Sequence, residues 1–491
     1  MKRTLFSNAM ANVVQMVVGT ALLLFLYRYI NLELGTAALG IWSVVLAMSS
    51  ASRLADFGIS ASVTRFVARY LALDEGKDAA KVVETALLTL LVFLVVALPL
   101  LYVPLKWILD HVFSGSNLKQ AQALLPFALV SLGLAILSAV VQSGLNGIQR
   151  MDLRAGLVLA AQLIFVILAF RLIPSLGLIG LAWAQIVQGA VSLFGGWLLL
   201  GRHMIALPRL PIVWSRKHFR EMLGYGVNVQ AATLLVLALD PLTKALMARF
   251  GGAETAGFFE MANQIAIKVR TLIMAANQAI VPKVAQMKEK SPHLLTELSN
   301  NNYKIIFYLS PIILSLLYLS SGVLSIVLIG HIAHEFILIL FILLAAWFIN
   351  VFTGPAYFIN LGIGRPGRNT ISHAVMACVN LLLGWSFGAM FGGTGVAFAY
   401  AVALVAGSAI LIIDHLRRSG TPFHRSMLKG HEFLLAITLL SITGGIWIWN
   451  TTMFLSDFDR IVLSIALTFG VLLAAWLDPY RKLLIGMMKG R

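Results

Sequence analysis

Charge is the scarcest commodity in this chain. Asp, Glu, Lys and Arg together supply 12% of its 491 residues, while 59% are hydrophobic. That shortage excludes a soluble globular protein, because so much apolar surface has no polar skin to cover it. The solvent for most of the chain is therefore lipid. Cysteine is almost absent: Cys378 stands alone, so no internal disulfide can form, and it reads as a small packing residue. Clusters of His, Cys and carboxylate at ligand spacing are missing too. His331 and His334, three residues apart, make no metal site by themselves. There is no glycine-rich loop of the kind that cradles phosphates, so no cofactor is expected and no nucleotide chemistry on this chain. Long polar stretches are also lacking, which leaves no room for a sizeable soluble domain.

What is present is a succession of apolar runs of about 20 residues, each long enough to cross the hydrocarbon core. Hydropathy places about fourteen of them: 8–30, 38–58, 83–108, 121–146, 155–173, 177–200, 223–248, 255–284, 304–330, 335–359, 369–391, 393–416, 432–450 and 460–478. The runs are too long for barrel strands and lack strict alternation, so they are helices. The expected fold is an all-α polytopic membrane protein. Lys2 and Arg3 ahead of an apolar run imitate a signal peptide, but Asn8, Asn12 and Gln15 interrupt that run, which reads as the first span.

The formal net charge is +17, and its distribution sets an orientation. With the N-terminus inside, the basic loops 202–220, 283–304 and 417–429 all fall on the cytoplasmic side. Both termini are then cytoplasmic. The charge follows topology rather than a patch, so no nucleic-acid role is expected.

The chain also repeats itself. Gly177-Leu178-Ile179-Gly180 is echoed by Gly392-Gly393-Thr394-Gly395, Asn146-Gly147-Ile148-Gln149-Arg150 by Leu361-Gly362-Ile363-Gly364-Arg365, and Asn12 and Gln15 by Asn228 and Gln230. The offset stays near roughly 215 residues, as expected of a duplicated unit. Six spans per repeat is an even number, so the two copies enter the membrane in the same direction and form two parallel bundles around a central cleft. The expected organisation is an N-lobe at 1–205, a cytoplasmic linker at 206–222, and a C-lobe at 223–418. Two additional transmembrane helices and a cytoplasmic tail follow at 419–491. The linker carries Pro208, Pro211 and an amphipathic stretch from Trp214 to Met222, and is expected on the cytoplasmic surface.

Ionisable groups at membrane depth are costly, about 2.5–3.5 kcal/mol on insertion scales, and are functional candidates by default. Here they concentrate on a few spans: Arg53 and Asp56, Asp240 and Lys244, and Glu260, Lys268 and Arg270. Asn8, Asn12 and Gln15 share one face of the first span, and Ser49, Arg53, Asp56 and Ser60 share one face of the second. On the eighth span Glu260, Asn263, Gln264, Thr271, Asn277 and Gln278 form a broad polar face. Arg270 lies about 60° from its centre and Lys268 about 100° on the other side, so Arg270 is the stronger candidate. Two of the charge pairs carry a structural reading beside the functional one. Arg53 with Asp56, and Asp240 with Lys244 at i, i+4, have the spacing of self-neutralising pairs. Glu260 sits near an outer end and has the option of snorkelling. Pro241 is expected to kink its span.

The segments Leu34-Gly35-Thr36-Ala37-Ala38-Leu39-Gly40-Ile41-Trp42, Asp56 to Phe66 and Gly144 to Arg150, on top of the two-lobe plan, resemble the multidrug/oligosaccharidyl-lipid/polysaccharide exporter superfamily, and within it the polysaccharide-type flippases. The resemblance runs over nearly the whole chain, through motifs rich in small residues. The second half keeps the glycines (Gly252, Gly257) but has Asn277-Gln278-Ala279 where the first has Asp56-Phe57-Gly58, so a role for Asp56 belongs to the first lobe alone. The resemblance implies a non-enzymatic flippase of an undecaprenyl-pyrophosphate-linked oligosaccharide, working by alternating access in the bacterial inner membrane. It implies membrane lipids as surroundings, and glycan polymerase and glycosyltransferases as possible partners. Substrate contacts are expected from Asn12, Gln15, Arg53, Lys244, Gln264, Lys268 and Arg270. Coupling to H⁺ or Na⁺ is expected at Asp56, Asp240 or Glu260. A lipid-linked peptidoglycan-precursor flippase and a cation-coupled multidrug antiporter are the alternatives inside the superfamily. A membrane glycosyltransferase or a gated pore are the alternatives outside it.

Overall fold

The computed structural model describes residues 2–50, 59–278, 294–362, 367–419, 432–450, 456–479 and 481. Among them every regular element is helical. The chain divides into two compact units, Met1–Gly257 and Phe258–Arg491.

The first unit contains α1 (Lys2–Leu34), α2 (Thr36–Ser50), α3 (Ile59–Ala72), α4 (Gly76–Val112), α5 (Gly115–Gly147), α6 (Met151–Leu176), α7 (Leu178–Ala190) and α8 (Gly196–His203), with a π-helical turn at Val191–Gly195 between the last two. The long α9 (Arg216–Gln278) begins in this unit and ends in the second. The second unit continues with α10 (Leu294–Ile329), α11 (His334–Val351), α12 (Gly354–Gly362), α13 (Gly367–Ser419), α14 (Glu432–Asn450) and α15 (Asp457–Leu477). In the first unit α5 packs on α4, α3, α2 and α7, while α6 packs on α1 and α7. In the second, α10 packs on α14, α15 and α11, and α11 packs on α13.

Ten helices among the described residues are long and apolar enough to cross a membrane. One of these, within α13, is broken at Gly392 (φ 64°, ψ −148°), and α9 is broken at Gly252 (φ 82°, ψ 177°). An unbroken α9 would reach about 95 Å, three bilayer cores. Gly35 (φ 83°) and Gly177 (φ 58°) end α1 and α6 in the same region of backbone space. Only glycine reaches these conformations without a Cβ penalty. Gly35 and Gly252, and Gly177 and Gly392, are separated by about the offset of the sequence repeat. The duplication is therefore visible as the same backbone device at matching places. Close approach repeats as well: a Cβ on Gly180 would lie 2.6 Å from the carbonyl carbon of Leu172, and one on Gly395 2.7 Å from that of Phe387.

The outer surface is apolar, as lipid demands. On α4, Val92, Val95, Leu100 and Val103 are each about two-thirds exposed, and on α15 Phe458, Ile465, Phe469 and Trp476 are similarly bare. Four serines inside the bundles satisfy themselves locally: Ser131, Ser138, Ser315 and Ser321 donate to backbone carbonyls three or four residues back. This is a multi-pass membrane protein.

Two contacts anchor α14 and α15 on α10. In α14, the indole of Trp449 is fully buried, donates Nε1 to Leu319 O at 2.9 Å and fills the notch left by Gly322 on α10. In α15, Ala475 O accepts from Tyr308 Oη at 2.9 Å. The segment between α8 and α9 is equally fixed. Glu84 of α4, 3% exposed, accepts the backbone N–H groups of Ile212 and Val213 at 2.9 and 3.0 Å. Thr85 Oγ1 accepts from Ser215 N at 3.1 Å, and Trp214 Nε1 donates to Thr89 Oγ1 at 3.0 Å. Helix α9 begins at Arg216, and residues 211–215, without regular secondary structure, are held against α4 by these bonds.

Candidate functional site

The second unit holds a cationic site built on one half-buried arginine. Arg270 lies on α9 beyond the Gly252 break, and its Nε donates to Asn350 Oδ1 of α11 at 2.8 Å. Asn350 is 3% exposed and passes the chain on, its Nδ2 donating to Ser408 Oγ of α13 at 2.9 Å. Ser408 in turn donates to Leu404 O at 2.6 Å. The guanidinium carbon of Arg270 sits 5.0 Å from the ring centre of Trp347, where the aromatic face attracts the cation. Trp347 is one helical turn before Asn350, so one face of α11 supplies both partners. Tyr400 makes edge-type ring contacts with Trp347 and with Phe259.

The first hydrogen-bond partner of the arginine is thus an amide, which orients the guanidinium without cancelling its charge. A guanidinium keeps that charge when desolvated and presents planar donors suited to phosphate or carboxylate oxygens. Beside it lies a cavity of about 20 Å³, bordered by Ala266, Val269, Arg270, Ser310, Leu314 and Trp347, roughly the room one water needs. Lys268 does not border this cavity and is half-buried elsewhere on α9.

The other expected site residues fall into separate places. Lys244 Nζ pairs with Asp240 Oδ2 at 2.9 Å in the first unit, with the lysine buried and the carboxylate partly exposed. Gln264 Nε2 donates to Glu260 Oε1 at 3.0 Å in the second unit, and Glu260 is buried. Gln15 is half-buried on α1. Arg53 and Asp56 lie outside the described residues, as does the side chain of Asn12. No group of three or more metal-ligating residues occurs among the described residues.

Sequence reasoning passed over Trp347, Asn350 and Ser408. The signal for Asn350 was there, since it is the one amide in the apolar run His334–Val351. A second overlooked cluster surrounds the start of α9, outside the spans. His218 is buried, with Nδ1 2.8 Å from Ser215 Oγ and Nε2 3.7 Å from Asp78 Oδ1. Tyr70 packs edge-on against its ring and donates Oη to Glu221 Oε2 at 2.8 Å. Burial pushes the His218 imidazole below its usual value of 6.5. Burial and the Glu221 carboxylate push Tyr70 up to about 12.

Comparison with known proteins adds the family. No curated protein sequence matches the chain. Among solved structures it is similar to the lipid II flippase MurJ in an inward closed conformation, at 15% identity and a TM-score of 0.73, covering 97% of this chain and 99% of that one. It is similar to an inward-facing multidrug resistance MATE family transporter of the MOP superfamily, at 16% identity and a TM-score of 0.68, covering 84% and 98%. A MOP superfamily transporter from Pyrococcus furiosus follows at 16% identity and a TM-score of 0.59, covering 84% and 95%. These likenesses establish the fold, and the proteins named are flippases and transporters rather than enzymes. The family model described as polysaccharide biosynthesis protein matches residues 5–288, more than half of the sequence. The chain belongs to the polysaccharide biosynthesis protein family, on the helical fold shared by these flippases and transporters.

Proposed function

We propose that the protein is a flippase that carries an undecaprenyl-pyrophosphate-linked oligosaccharide across the bacterial inner membrane by alternating access. The observation that carries this reading is Arg270, a guanidinium held by an amide and an indole with its charge left over for an anion. A pyrophosphate or an acidic glycan is the ligand such a group suits. Family membership supports the polysaccharide side of the reading. In it, repeats 1–205 and 223–418 are the two lobes, 206–222 is the linker, 419–491 is appended, and both termini are cytoplasmic.

Within that scheme Arg53, Lys268 and Arg270 meet the anionic part of the substrate, and Asn12, Gln15 and Gln264 meet sugar hydroxyls. Lys244 contributes only when its pairing with Asp240 opens, which makes Asp240, with Asp56 and Glu260, a candidate for H⁺ or Na⁺ coupling. The second reading, a lipid II flippase, is favoured by the structural likeness over nearly the whole chain. A multidrug antiporter for cations is disfavoured by a leftover positive charge in the site.

The test is a deletion strain assayed for lipid-linked glycans. Accumulation of the complete undecaprenyl-linked unit on the cytoplasmic side, with surface polymer lost, is the expected result. Re-expression of Arg270→Ala at wild-type membrane levels should leave export about 10- to 100-fold down, given ~1.5–3 kcal/mol for a lost charge-assisted contact. Normal surface glycan in the deletion strain, or full rescue by that variant, refutes the assignment.

A further inference from the structure

The segment joining α8 to α9 presents its hydrophobic side chains outward. Ile205 is 98% exposed, Leu210 69% and Ile212 75%, and Trp214 is half-exposed. Leu210, Ile212, Val213 and Trp214 are all exposed along a stretch without regular secondary structure. This is the wrong arrangement for a loop in water. Arg209 and Arg216 flank the stretch and are both exposed.

Its level relative to the lipid belt is fixed by hydrogen bonds. Glu84 holds Ile212 and Val213, Thr85 holds Ser215, and Thr89 holds the Trp214 indole, so the segment runs beside residues 84–89 of α4. The lipid-exposed belt of α4 opens immediately afterwards, at Leu91 and Val92. The outward face of the segment is therefore continuous with the edge of that belt. An indole at such a boundary, with aliphatic neighbours and flanking arginines, has the make-up of an interfacial anchor.

We infer that residues 205–216 form a docking strap for anionic phospholipid, in which Leu210, Ile212 and Trp214 enter the headgroup–acyl boundary while Arg209 and Arg216 hold lipid phosphates. The carboxylate of Glu84, spent on two backbone N–H groups, sets the depth of the strap rather than opposing the lipid. The choice of the inner leaflet rests on the orientation given under the proposed function. The lipid contact itself does not.

The experiment uses the full chain in nanodiscs. With Cys378→Ser removing the single native thiol, Ile212→Cys carries an environment-sensitive fluorophore, and Leu210→Cys serves as an independent second site. Doxyl-labelled phosphatidylglycerol and doxyl-labelled phosphatidylcholine are compared at equal mole fraction, with aqueous iodide as the opposing quencher. Quenching by both lipids, stronger by the glycerol lipid, with little effect of iodide, is expected. Arg209→Gln with Arg216→Gln should reduce the preference for the anionic lipid by about fivefold per arginine. Strong iodide quenching without lipid quenching at both positions would overturn the strap. Equal quenching by the two lipids would overturn its anionic preference. Neither outcome touches export, so a failure here is distinct from a failure of the flippase reading.

Discussion

Gly40→Ala is a one-carbon change with a cost that can be worked from the structure. Near the N-terminus of α2, Gly40 faces Ala253 and Gly257 of α9, just past the Gly252 break, and the contact is reciprocal. A Cβ on Gly40 would overlap the carbonyl oxygen of Ala253 and sit 2.8 Å from its carbon and 2.9 Å from Gly257 N. A Cβ on Gly257 would overlap Thr36 O and sit 2.9 Å from Thr36 Cγ2. Ordinary carbon contacts need about 3.5–4.0 Å. Because the obstacles are backbone atoms, no rotamer change relieves them, and the two helices must part by about 1 Å. Overpacking of this kind costs about 1–3 kcal/mol, and separation of the small-residue seam places this site at the upper end. Gly470→Ala in α15 is the control, since a Cβ there meets nothing within 4 Å. It should be neutral or stabilising by up to ~1 kcal/mol through helix propensity. The assay is the fraction of monodisperse protein surviving a temperature series in mild detergent, read by size-exclusion fluorescence. Gly40→Ala should lower the half-loss temperature by several degrees while Gly470→Ala does not. Equal curves for Gly40→Ala and the parent would refute the close helix crossing. Gly257→Ala added to Gly40→Ala should cost less than the sum, because both press on one seam.

Asn350→Ala removes a bond to a charged donor and one to Ser408, and should destabilise the second unit by about 2–4 kcal/mol, with Asn350→Asp tethering Arg270 more tightly and impairing export despite normal stability. Melting curves paired with surface-glycan complementation separate the two effects, and an export-competent Asn350→Asp protein would contradict the need for a free charge on Arg270. The docking of the segment at 212–215 should depend on pH through His218. Its folded pKa lies below 6.5, so the undocked chain binds the proton more readily and docking weakens as pH falls through and below about 6.5. Asp78 draws the imidazolium back, Lys81 and Lys217 repel it, and Glu221, already bonded to Tyr70, adds a weaker attraction; burial outweighs these contributions. Hydrogen exchange at the amides of Ile212, Val213 and Ser215, corrected for intrinsic rate, should show protection lost on acidification, and a flat profile identical to that of His218→Asn would contradict this.

Class and repeat were legible in the sequence because lipid leaves helices few alternatives and because glycine is irreplaceable at certain backbone angles. Gly177 and Gly392 stood out as echoes and prove to be the same left-handed break. The pairing of Asp240 with Lys244 was legible from spacing alone, since i, i+4 neighbours on a helix meet without help from the rest of the fold. The partners of Arg270 were not, because Asn350 lies 80 residues away and Ser408 another 58 beyond it. Glu84 was passed over for a related reason. A carboxylate at the edge of an apolar run looks like a solvated end, and only tertiary structure reveals two backbone N–H groups seated on it. The segment before α9 read as part of an amphipathic stretch from its composition, and only the structure shows Glu84, Thr85 and Thr89 claiming its hydrogen-bonding groups.

The tryptophan in α14 sets a waiting time in the making of the protein. Trp449 docks on α10 at a carbonyl that left the ribosome 130 residues earlier. At ~5–20 residues per second the notch at Gly322 stands unfilled for roughly 6 to 26 seconds of synthesis. During that interval acyl chains occupy the space destined for an indole, and they must be expelled when the fourteenth helix arrives. A ribosome stalled before position 449 would therefore release a chain with a lipid-filled groove on its second unit, a form that quality-control proteases can tell from the finished one.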